Sequence, residues 1–65
     1  MTPKQRMLQL IRNYERHLEQ SGKPPTAPSA FLYMDMCELI IRHEKGLTDD
    51  ASLERLLEKI EGQST

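Results

Sequence analysis

The sequence predicts an all-α fold, a three-helix small domain completed as a homodimeric helical bundle, and three observations carry that prediction. The vocabulary is that of helices: Val and Trp are absent, Ile appears four times, and Leu, Met, Gln, Glu, Lys and Arg dominate. Apolar residues recur at spacings of three and four, the period of a helix face. Prolines and glycines at Pro3, in the segment 22–28 and at Gly46 divide the chain into three helix-sized pieces.

The first helix is expected over residues 3–21. Thr2 is a competent cap, Pro3 suits the first helical position, and Gln5 stands where a capping-box partner reaches back. Met7, Ile11, Tyr14 and Leu18 then form one apolar stripe, and Gly22 offers the left-handed conformation that ends a helix. Pro24, Pro25 and Pro28 stiffen the connector that follows.

The second helix is expected over about 28–45, opened by Thr26 or Ser29 and closed before Gly46, with Leu47 as a hydrophobic closing contact. Ten of the twelve residues from 30 to 41 are apolar, and Asp35, Glu38 and Arg42 make only a narrow polar strip. Two short neighbours cannot cover so wide a face, so part of it is expected to meet another chain. A homodimer is the simplest arrangement, because a two-fold interface needs one self-complementary patch. The residues assigned to this partner or dimer interface are Phe31, Tyr33, Met34, Cys37 and Ile41, with Met36 beside them.

The third helix is expected over about 49–61, capped by Thr48, Asp49 or Asp50. Leu53, Leu56, Leu57 and Ile60 fall on one face, Gly62 is read as the stop, and residues 62–65 as a flexible tail.

A chain of 65 residues leaves much of its surface exposed after folding and needs regular packing, a staple or association for stability. Cys37 is alone and cannot form an internal disulfide, and no Cys/His cluster suggests a metal, so no cofactor is expected. The formal charge of −1 gives no global attraction to nucleic acid. Its distribution is uneven: residues 1–28 carry five cations against two acids, a net +3, and residues 29–65 carry four against eight, a net −4. No apolar stretch approaches the roughly 18 residues of a membrane span, and the amphipathic amino terminus has no signal-peptide core, so the chain reads as cytoplasmic.

The stretches Thr2-Pro3-Lys4-Gln5-Arg6, Leu10-Ile11-Arg12 and Ser21-Gly22-Lys23-Pro24-Pro25-Thr26 resemble the first helix and following turn of the DNA-binding domain of LexA-type SOS repressors. The resemblance spans residues 2–26. In that family a short second helix, a Gly-containing turn, a recognition helix and a two-stranded wing follow. Here the apolar run 30–41 continues without such a turn. What the resemblance implies is a DNA-binding transcriptional regulator with a truncated helix-turn-helix.

Catalytic constellations are sparse. His17 and His43 lie on different helices without metal-ligand spacing, Asp35 and Glu38 read as a solvated strip, and Cys37 has no basic neighbour to activate it. The expectation is a non-enzymatic protein with no catalytic residue. One reading is a protein-interaction module, a small bacterial or phage accessory regulator. The other is a DNA-binding regulator in which Lys4, Arg6, Arg12, Arg16 and Lys23 contact phosphates.

Overall fold

A computed structural model describes residues 1–63 as three helices in chain order, α1 (Pro3–Ser21), α2 (Ala27–Glu44) and α3 (Asp50–Gln63), with no strand among the described residues. The all-α prediction holds.

Each helix begins where a side chain can satisfy its free N–H groups. At α1, Thr2 Oγ1 accepts from the Gln5 N–H at 3.2 Å and Gln5 Oε1 accepts from the Thr2 N–H at 3.0 Å, with Pro3 at the first position. At α2 the cap is Thr26, whose hydroxyl accepts from the Ser29 N–H at 3.4 Å. Ser29 is thus inside the first turn. At α3 the carboxylate of Asp49 accepts from the Ser52 N–H at 3.1 Å and the Ser52 hydroxyl at 3.2 Å. Those hydrogen bonds hold the Asp49 carboxyl below its ordinary value of 3.8.

The helix ends depend on glycine. Gly22, at φ 64°, donates to the Leu18 carbonyl at 3.2 Å and ends α1. Gly46, at φ 75°, donates to the His43 carbonyl at 3.1 Å, and Leu47 donates to the Arg42 carbonyl at 2.8 Å, the two bonds of a Schellman motif. Gly62 behaves differently. It lies within the last turn of α3, which continues to Gln63, so the expected stop at Gly62 is displaced; residues 64 and 65 of the expected tail lie outside the described residues. A glycine weakens a helix without ending it unless the chain needs the left-handed conformation there.

The core takes two residues from each helix: Met7 and Ile11, Met36 and Ile40, Leu53 and Leu57. Each pair is four apart, so one narrow stripe per helix meets at the bundle axis. Tyr14 and Tyr33 stack obliquely with ring centroids 5.2 Å apart, and the Tyr14 hydroxyl lies 3.1 Å from Ser29 Oγ, tying α1 to the start of α2. Polar contacts cross the seams: Lys4 forms an ion pair with Glu44 at 3.4 Å and Arg6 one with Glu61, and His43 Nε2 lies at hydrogen-bond distance, 2.7 Å, from the Asp50 carboxylate. All are partly solvated and add little to stability. Among the described residues, no helix is long and apolar enough to cross a membrane.

Candidate interaction surface

Because the core draws on only one stripe of α2, the opposite side of that apolar helix remains uncovered. Phe31 is 66% exposed, Met34 61% and Ile41 51%. The Schellman turn carries the chain back alongside α2 and adds Leu47, 72% exposed, to the same patch. An exposed apolar residue alone is ordinary, but three along one helix and a fourth in the turn beyond it are not where the described residues bury six in the core.

The patch is a shallow groove. Tyr33 and Cys37, half-buried, form its floor; Met34, Ile41 and Leu47 stand along it; Glu38, Arg42 and Lys45 complete its lining. Glu38 and Arg42, one turn apart, form an ion pair at the surface. Hydrogen bonding with the Cys37 side chain, reinforced by desolvation and the nearby charge of Glu15, raises the Tyr33 hydroxyl above its ordinary value of 10.0. Tyr33 is therefore a neutral, partly apolar surface at neutral pH.

The five residues assigned to this face from the sequence divide accordingly. Phe31, Met34 and Ile41 are exposed, whereas Tyr33 and Cys37 pack against the core with one edge in the groove. Met36 is a correction: at 5% exposure it turns into the core. It lies two residues from Met34, a rotation of about 200° around the helix, and so faces the other way. Leu47 remains largely exposed, in the same lining as Ile41, so the closing contact expected of it after Gly46 falls on the groove and not in the core. A hydrophobic residue directly after a helix-ending glycine was the available signal for its place beside the helix, but the groove it extends requires the third dimension.

The cationic set is dispersed. Lys4 and Arg6 are engaged by Glu44 and Glu61, and Lys23 lies in the connector. Arg12 and Arg16 are exposed on the outer side of α1 beside Gln5, Gln9 and Asn13, and make no ion pair with the described residues. Glu15 and Glu19 adjoin them. The continuous 18-residue α2 occupies the place where the resemblance to the repressor domain implies a turn and a recognition helix.

Among the described residues, no three His, Cys, Asp or Glu side chains are grouped to hold a metal ion. No protein-family model, curated protein or solved structure matches the chain.

Proposed function

We propose that the chain acts by binding another protein surface through the outward face of α2 and Leu47, as a small non-enzymatic helical regulator. The observation that carries this reading is the exposure of Phe31, Met34 and Ile41 along the helix that supplies Met36 and Ile40 to the core, with Leu47 of the following turn lining the same groove as Met34 and Ile41. Covering such a face removes apolar surface from water at roughly 25 cal/mol per Å², which makes association the natural use of it. The mix of flexible methionine with aromatic and aliphatic side chains suits a binding surface. A bacterial or phage accessory role is the setting favoured by the resemblance over residues 2–26.

The test is a binding measurement on Met34→Glu. Because Met34 is outside the core, the variant keeps its helical content and melting cooperativity as a monomer while losing self-association or capture of a partner. Unchanged association would refute the assignment of this face.

A second reading, nucleic-acid binding by the outer side of α1, is favoured by one observation, the pair Arg12 and Arg16 exposed beside three amide side chains. Arginine and amide side chains are the groups that read base edges and phosphates. This reading predicts retention of duplex DNA at low salt that weakens steeply as salt rises and is abolished by Arg12→Glu with Arg16→Glu. No mobility shift at low salt would eliminate it.

A further inference from the structure

The outward face of α2 has an internal order that selects its occupant. Phe31, Met34, Glu38, Ile41 and Lys45 follow one another at spacings of three, four, three and four, the seam of a coiled coil, and all five are exposed. Asp35 and Arg42 are one heptad apart, and so occupy the same flank of that seam. Both are exposed. Acids occupy the amino-terminal part of the face, Asp35 and Glu38, and cations the carboxy-terminal part, Arg42 and Lys45; Glu44 is turned away to Lys4 of α1 at 3.4 Å.

From this order we infer that the occupant of the face is a second copy of the same helix, packed antiparallel across a two-fold axis between Glu38 and Ile41. The inference rests on the proposed binding role of this face and names its partner. Two alignments of identical helices are available, and the charges distinguish them. In a parallel pair, equivalent seam residues meet, which would stack Glu38 on Glu38 and Lys45 on Lys45 at an apolar contact. In an antiparallel pair the order is reversed. Glu38 then meets Ile41 of the other copy, Lys45 lays its aliphatic stem over Met34, and Phe31 reaches the end of α2 where Leu47 stands. Residues on the same flank also meet in the antiparallel arrangement, so Asp35 of each copy faces Arg42 of the other, twice by symmetry. The intrachain Glu38–Arg42 pair leaves Arg42 exposed and at hand for that contact.

The experiment is a charge-swap cycle on the full chain, with self-association measured by sedimentation equilibrium and helical content by circular dichroism. Asp35→Lys sets a cation against Arg42 at both symmetric contacts, and Arg42→Asp sets a second acid against Asp35. Each variant alone is expected to self-associate about tenfold or more weakly than the parent chain. An equimolar mixture restores association, because in the mixed dimer the introduced lysine faces the introduced aspartate and the unaltered Asp35 faces the unaltered Arg42. The positions are exposed, so both variants remain folded. A dimer that Met34→Glu dissociates, but that neither charge variant weakens and the mixture does not tighten, would overturn the antiparallel pairing and leave the binding face standing. A parent chain monomeric up to about a millimolar would overturn the second copy as occupant, leaving a heterologous partner for the face. A dimer indifferent to Met34→Glu would overturn both this inference and the assignment of the face beneath it.

Discussion

Met34 and Met36, the same side chain two positions apart on α2, have opposite surroundings: Met36 is 5% exposed within the core and Met34 is 61% exposed on the groove. The helix therefore has a buried apolar side and an exposed one, and substitution separates the two. Met36→Ala is expected to destabilise the fold by about 2–4 kcal/mol, by lost burial and a cavity. Met34→Ala is expected to change monomer stability by under about 0.5 kcal/mol, since it empties no core site. Urea denaturation of both variants in dilute solution checks this, and equal losses would contradict it.

The hydroxyl of Tyr14 is a specific link between α1 and α2. Tyr14→Phe removes its contact with Ser29 at 3.1 Å and preserves the oblique packing on Tyr33. Ser29 keeps Thr26, 2.8 Å away, as partner, so the expected loss is about 0.5–1.5 kcal/mol with no change in helical content. Chemical denaturation measures it, and no change in midpoint would mean that water replaces the contact without penalty.

Acid should loosen the start of α3. The folded-state value of Asp49 is depressed, chiefly by the Ser52 N–H, so its contribution to stability is present above the unfolded value near 3.8 and is lost as pH falls through the lowered folded value. Asp49→Asn keeps an oxygen acceptor for the cap but cannot titrate. Melting temperature followed downward from pH 5 should therefore fall less steeply in the variant than in the parent chain; parallel curves would remove Asp49 as a source of acid sensitivity.

Two glycines predict opposite signs for one substitution. Gly46→Ala places a Cβ in open space but at φ 75°, and is expected to be destabilising by about 1–2 kcal/mol. Gly62→Ala also meets open space, inside a helix, and is expected to be stabilising by up to about 0.5–1 kcal/mol. Thermal melts compare them directly, and a stabilised Gly46→Ala would contradict the Schellman ending of α2.

The helices themselves were legible in the sequence because their determinants are local. Thr2 with Gln5, Pro3 and the turn at Gly22 specify a start and a stop within a few residues. The stripes of α1 and α3 are narrow enough that their periodicity alone selects Met7 and Ile11, and Leu53 and Leu57, as inward positions. Residues 30–41 carry no such contrast, since apolar side chains lie nearly all around the helix. The sequence by itself therefore determined three helices, their boundaries to within a few residues, and the existence of more apolar surface on α2 than two neighbours could cover. Which side of α2 is covered, and with it the opposite roles of Met34 and Met36 and the place of Leu47 in the groove, was decided only when α1 and α3 took their positions. That choice is a contest between nearly equivalent apolar faces, and it depends on shape and contact across helices far apart in the chain, to which local periodicity is blind.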